Sequence, residues 1–187
     1  MTQNEVDTPL VPQPKDSTVV EFVRFTIVAL IIVFLFRVYI AQPFIVSGLS
    51  MSPTFETGNY LIIDEITYRL EKPSRGDVVI LKKPGHDEYL IKRVIGLPGE
   101  TVSSTQGTIT VTTTNKERVT LEEPYIVKKG SDTFEKTLAP KEYFVMGDNR
   151  TVSLDSRIIG PIPEENIIGK AFLRLFPPTQ AGFSPGK

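Results

Sequence analysis

Ser50 stands in the run Ser47-Gly48-Leu49-Ser50-Met51-Ser52-Pro53-Thr54, nine residues past a long apolar segment. A serine hydroxyl is a poor nucleophile without a base. The chain's one histidine, His86, sits in Pro84-Gly85-His86-Asp87-Glu88, a polar turn between two expected strands. A solvated loop imidazole is expected there, so a Ser-His-Asp triad is disfavoured. Lysine can replace histidine if burial removes its proton, because its ordinary pKa is ~10.4 and low dielectric disfavours the ammonium. Lys92 is the best placed, inside the apolar run Tyr89-Leu90-Ile91-Lys92-Arg93-Val94-Ile95. Alternation puts Lys92 on a face with Leu90 and Val94, and Arg93 on a face with Ile91 and Ile95. Periodicity does not choose which cation is buried, but arginine cannot serve as a base at pH 7 and lysine can. On pattern alone, a lysine that snorkels out at a strand edge is the commoner arrangement.

A third segment is Met146-Gly147-Asp148-Asn149-Arg150-Thr151-Val152-Ser153-Leu154-Asp155-Ser156-Arg157. It carries too many charges for a plain hairpin tip. Its alternating Asp and Arg side chains can pair internally, Ser153 can offer a hydroxyl that orients a lysine amine, and Asp155 can stand behind it. The same pattern also fits a salt-bridged structural loop, and a loop beside a site must itself be rigid. Arg75-Gly76-Asp77 and Asn149-Arg150-Thr151 match short adhesion and glycosylation patterns, but such three-residue matches are frequent by chance.

The elements that must position these residues begin with an anchor. Phe22 to Ala41 is apolar except for Arg24 and Arg37 near its ends. At ~1.5 Å per residue this spans about 30 Å, one hydrocarbon core. A transmembrane helix over 22–41 is expected. The preceding flank (Glu5, Asp7, Lys15, Asp16) is not that of a cleaved secretory signal, and Ala41-Gln42-Pro43 is a poor cleavage site. Lys15 and Arg24 lie before the span's centre and no Lys or Arg follows Arg37 until Arg69. The positive-inside bias therefore puts the N-terminus in the cytoplasm and the rest outside. Residues 1–21 read as a cytoplasmic disordered tail, with Pro9, Pro12 and Pro14.

From residue 42 to 176 the pattern is mainly β, expected as one extracytoplasmic catalytic domain. Tyr60–Asp64, Asp77–Leu81, Tyr89–Ile95, Thr108–Thr113, Lys141–Met146 and Lys170–Phe176 read as strands, divided by turns such as Gly58-Asn59 and Pro98-Gly99. Residues 101–140 read as a small insertion with a hairpin around Asn115-Lys116, and 177–187 as a flexible tail. Net charge is −1, which gives no electrostatic case for nucleic acid. There is no cysteine and only one histidine, so thiolate metal sites are excluded and a histidine-based one is disfavoured.

Ser50-Met51-Ser52-Pro53-Thr54, Ile91-Lys92-Arg93-Val94-Ile95-Gly96-Leu97-Pro98-Gly99-Glu100, and Gly147-Asp148-Asn149-Arg150 followed by Ser153-Leu154-Asp155-Ser156-Arg157 resemble the signature boxes of bacterial type I signal peptidases. Gln42-Pro43-Phe44 and Arg75-Gly76-Asp77-Val78 join them, and the match runs in order from Arg37 to Phe176. The resemblance implies an antiparallel β fold of the signal-peptidase type behind a single membrane helix in the plasma membrane. It implies a Ser-Lys serine endopeptidase that removes signal peptides from exported preproteins after small residues, in an A-x-A-like pattern, without metal or cofactor. Its partners would be signal peptides and membrane lipid. Ser50 matches the nucleophile, Lys92 the general base, Ser153 the serine that bonds the lysine and Asp155 its supporting aspartate. Asp148, Arg150 and Arg157 match structural charges. By position, Phe44, Val46, Met51, Phe55, Leu90 and Ile91 would line the pockets for the small side chains.

Two positions depart from the family pattern. Thr151-Val152 replaces a frequent Asp-Asn. Gly48 stands where some members carry a serine that helps hold the oxyanion, so the Ser50 N–H must do more of that work, with Gly48 or water beside it. A lysine in place of histidine also argues against the microsomal branch. The rivals are a Ser-Lys self-cleaving protease of the SOS-repressor type, disfavoured by the apolar span and the lack of a basic module, and an anchored β domain that binds exported chains without chemistry.

Overall fold

The computed structural model describes residues 18–39 and 41–186, with side chains of 34–41 outside the description. The chain divides into two compact units, residues 1–36 and 37–187. The first holds most of helix α1 (Thr18–Tyr39). It begins at Thr18 rather than Phe22 and has stopped by Tyr39, because Ala41 already opens a strand. Among the described residues, no helix is long and apolar enough to cross a membrane. Of the expected cytoplasmic tail, residues 1–17 lie outside the described residues, and Thr18 to Glu21 are helical.

The second unit is built on antiparallel β-sheets, with short helices between strands. Its elements are β1 (Ala41–Ile45), β2 (Tyr60–Asp64), α2 (Thr67–Leu70), β3 (Val78–Lys82), β4 (Tyr89–Gly96), β5 (Thr101–Thr105) and β6 (Thr108–Thr112). Then come β7 (Arg118–Thr120), β8 (Phe134–Thr137), β9 (Glu142–Met146), α3 (Ser156–Ile159), β10 (Ile162–Pro163), β11 (Ile167–Phe176) and β12 (Gly182–Phe183). The main sheet runs β1-β2-β11-β3-β4-β9-β10, with β12 added beside β11. The second sheet runs β7-β6-β5-β8 and takes up residues 101–137.

Alternation drives both sheets. In β2, Leu61 and Ile63 point inward and are at most 2% exposed. In β6, Ile109 and Val111 do the same between half-buried threonines. Strand β3 departs from alternation: Val78, Val79, Ile80 and Leu81 are all buried. Its two faces feed two cores, one with Phe55, Leu61 and Ile91, the other with Val94, Tyr143 and Val145. A third core, around Ile95, Val102 and Phe144, joins the second sheet to the first. The register that matters most is β4 against its neighbours. Val79 faces Lys92 and Val78 faces Arg93 on the β3 side, while Arg93 faces Met146 on the β9 side.

The C-terminal segment differs from the flexible tail expected from its composition. It forms a 3-10 turn at Pro178–Gln180 and the strand β12. Arg93 Nη1 also donates to the Gly186 carbonyl at 2.6 Å. A buried guanidinium needs acceptors, and this backbone supplies one, a contact invisible in a Pro-Gly-Ser pattern.

Candidate active site

Strand β4 is long enough to serve two neighbours, and this sets up the site. From Arg93 onward β9 covers its edge, but Tyr89 to Ile91 lie beyond the paired stretch. Lys92 sits at that transition and is 2% exposed, buried together with Arg93 rather than alternating with it. Both cations are therefore inside, and each is satisfied differently. Arg93 grips Asp148 through Nε at 2.8 Å and Nη2 at 2.6 Å, donates to the Gly76 carbonyl and lies over the Tyr125 ring. Lys92 faces no carboxylate at bonding distance. Its Nζ donates to Ser50 Oγ at 2.7 Å and to its own neighbour's carbonyl, Ile91 O, at 2.9 Å. Burial lowers the Lys92 pKa from 10.5 to about 8, against the opposing pull of Asp155, Glu88 and Asp148.

Ser50 is half-buried on a turn between β1 and β2, tightened by Ser52 N to Leu49 O at 3.2 Å and Phe55 N to Met51 O at 2.9 Å. Gly48 enters this turn at φ +97, a region costly for any side chain. The Thr57 hydroxyl accepts from Gly48 N at 3.1 Å and donates to Gly48 O at 3.0 Å. The Gly48 N–H is thus engaged with Thr57. Among the described residues no hydrogen bond occupies the Ser50 N–H.

The loop after β9 closes the other side. Asn149 N donates to Ser50 O at 3.0 Å. A Cβ on Gly147 would fall 2.4 Å from Ser50 O and 2.2 Å from Ser153 Oγ, so only glycine allows this approach. Asp155 caps α3 and is fully buried. It accepts from Gly147 N at 3.0 Å, and from Arg157 Nε at 2.9 Å and Nη2 at 2.8 Å. Burial alone would raise its pKa, but the bonds from Arg157 and Gly147 outweigh that and hold its carboxyl below the usual range. Ser153 departs from expectation. Its Oγ is buried without a hydrogen-bond partner among the described residues, and Lys92 Nζ goes to Ser50 and Ile91 O instead. The hydroxyl still lies near enough to Asp155 to contribute, last among the causes, to keeping that carboxyl low.

A cleft of about 270 Å³ opens at Ser50 and Lys92, lined also by Phe44, Ile45, Ser47 and the run Glu88 to Ile91. Of the six residues expected around the small side chains, Phe44, Leu90 and Ile91 line this cleft, Ile91 while also packing in the core. Val46, Met51 and Phe55 do not line it and pack at 0–1% exposure in the core beneath the turn that carries Ser50. His86 is exposed, with Nδ1 3.0 Å from Pro84 O and no link to the site. Among the described residues no group of three His, Asp or Glu side chains is arranged to hold a metal ion.

Two residues of the site escaped sequence reasoning. Glu123 pairs with Arg150, and both side chains are at most 3% exposed. Asp132 pairs with Arg157 at 2.6 Å. Both lie between β7 and β8, far along the chain from any motif, and only their acidic character hinted at a partner.

A buried lysine bonded to a half-buried serine, beside a free strand edge, can carry out acyl transfer on an extended peptide. Residues 19–176 match the family described as signal peptidase, peptidase S26. The chain belongs to this family. It is 34% identical to signal peptidase I of Leptolyngbya laminosa over 93% of this chain and 88% of that one. It is 42% identical to signal peptidase I V of Bacillus subtilis over 66% of this chain and 79% of that one. A crystal structure of a signal peptidase I from Enterococcus faecalis aligns with a TM-score of 0.47 and 30% identity, over 54% of this chain and 97% of that one. This signal peptidase is a serine protease, and its family's function is the removal of signal peptides.

Proposed function

We propose that Ser50 and Lys92 are the catalytic dyad with which this signal peptidase cleaves exported preproteins after small residues. The observation that carries the reading is the 2.7 Å bond between Lys92 Nζ and Ser50 Oγ, made by a lysine that burial pushes toward neutrality. The cleavage segment lies extended in the cleft, between the outer edge of β1 and the unpaired stretch of β4. Main-chain bonds hold it there, and Phe44, Leu90 and Ile91 limit the side chains it can carry. Neutral Lys92 takes the Ser50 proton as Oγ attacks the scissile carbonyl. The resulting ammonium returns that proton to the leaving amine, which frees the mature protein. Lys92 then takes a proton from water, whose oxygen attacks the acyl-enzyme, and returns it to Ser50 Oγ as the acyl bond breaks and the signal peptide leaves. The Ser50 N–H faces the developing oxyanion. Asp155 keeps Arg157 and the Gly147 backbone in place, and Arg93 and Arg150 do the same for the rest of the loop.

The run Phe22–Ala41 is apolar except for Arg24 and Arg37 near its ends. It supports anchoring of the catalytic unit by one span in the plasma membrane, N-terminus in the cytoplasm. Signal peptides that partition into the same bilayer then reach Ser50 at raised effective concentration.

The test is preprotein processing by the detergent-solubilised full chain. Ser50→Ala and Lys92→Ala each abolish cleavage, and His86→Ala leaves it intact. An active Lys92→Ala variant would show that another group is the base.

A further inference from the structure

The loop Gly147–Arg157 is held from outside by the segment between β7 and β8. Glu123 accepts from Arg150, with Nη1 at 3.2 Å and Nη2 closer still, and from the Tyr125 hydroxyl at 2.9 Å. The Tyr125 ring lies 3.9 Å from the Arg93 guanidinium carbon. Asp132 accepts from Arg157 Nη1 at 2.6 Å. Each of these arginines has a second engagement facing the site. Arg93 holds Asp148, Arg157 holds Asp155, and Arg150 Nε donates to the Gly147 carbonyl at 3.1 Å. Gly147 is also where space is tightest against Ser50 O. A buried pair such as Glu123–Arg150 gives little net stability, because desolvation offsets the attraction, yet removing one partner strands a buried charge. Its evident product is geometry.

We propose that Glu123 is a positioning residue for peptide cleavage, assisted by Tyr125 and Asp132. It fixes the Arg150 guanidinium, which fixes the Gly147 backbone against the turn that carries Ser50. The segment between β7 and β8 is then a clasp on the site rather than a passive connection. The proposal rests on the reading of Ser50 and Lys92 as the dyad. Displacements of about 1 Å by changes remote from the chemistry can cost ~100-fold in rate.

The experiment measures kcat and KM on a signal-peptide substrate with the detergent-solubilised full chain. Active sites are titrated by a covalent serine label, and folding is followed by thermal melting. Glu123→Gln lowers kcat per titrated site about 10- to 100-fold with KM within about twofold, and Glu123→Asp recovers part of the loss. Tyr125→Phe folds with its ring still under Arg93 and lowers kcat about two- to fivefold, which keeps the test decisive if Glu123→Gln does not fold. Unchanged kcat per titrated site in the folded variants overturns the proposal, even if their melting temperatures fall. Full activity in Lys92→Ala overturns the dyad instead, whatever Glu123→Gln does.

Discussion

Replacing Lys92 by methionine should abolish cleavage and stabilise the protein at neutral pH. Burial moves the lysine pKa from 10.5 to about 8. At ~1.4 kcal/mol per pH unit, holding the ammonium inside costs ~3 kcal/mol. Methionine matches the stem in volume and carries no charge, but it leaves Ile91 O without the Nζ bond, a loss of ~1–2 kcal/mol. The balance favours the variant by roughly 1–2 kcal/mol at pH 7, or about 2–8 °C in melting temperature for a unit of this size. The pH dependence is specific. Below about 8 both folded and unfolded states hold the proton and the wild-type chain bears the full cost. Between that value and 10.5 only the unfolded state holds it, so wild-type stability rises with pH. Above 10.5 the cost is gone and the lost bond leaves methionine the less stable residue. Thermal melts of both chains from pH 7 to pH 11 read this directly, since other titrations cancel in the difference. A variant no more stable than wild type at pH 7, or a difference that does not change with pH, would refute the reasoning.

Gly147→Ala places a methyl 2.4 Å from Ser50 O and 2.2 Å from Ser153 Oγ, and should lower kcat at least 100-fold. Active-site labelling and peptide kinetics on the folded variant check it. Asp155→Asn breaks a buried pair with Arg157 and should cost about 3–5 kcal/mol, read as a fall in melting temperature. It also removes a negative charge that raises the Lys92 pKa, so the acid limb of the pH–rate profile should move to lower pH in the residual activity.

How much of this was legible follows from the range of each signal. Apolar runs and turn residues act locally, so β2, β3, β4 and β9 lie within a residue or so of where alternation puts them. β5 (Thr-Val-Ser-Ser-Thr), β7 and β8 are short and polar, and tertiary pairing rather than pattern makes them strands. The roles of Ser50 and Lys92 were suggested by residue type and neighbours, but pattern favoured a snorkelling lysine. Burial of Lys92 beside Arg93 comes from β9 and the Gly147 loop closing over β4, which no window of sequence contains. The charged loop was expected to pair within itself. Asp155 and Arg157 do, but Asp148 reaches back to Arg93, and Arg150 and Arg157 reach out to Glu123 and Asp132. Val46, Met51 and Phe55, expected by position at the pockets, pack in the core, which position in a motif does not reveal.

The central claim is that a buried, neutral Lys92 activates Ser50. The most direct measurement is the rate at which an acylating electrophile labels Ser50 in the solubilised full chain, from pH 6 to pH 10, in wild type and in Lys92→Ala. The account predicts a rate that rises with pH, half-maximal near pH 8, and that collapses in the alanine variant. A rate indifferent to pH across this range, or undiminished without Lys92, would contradict it.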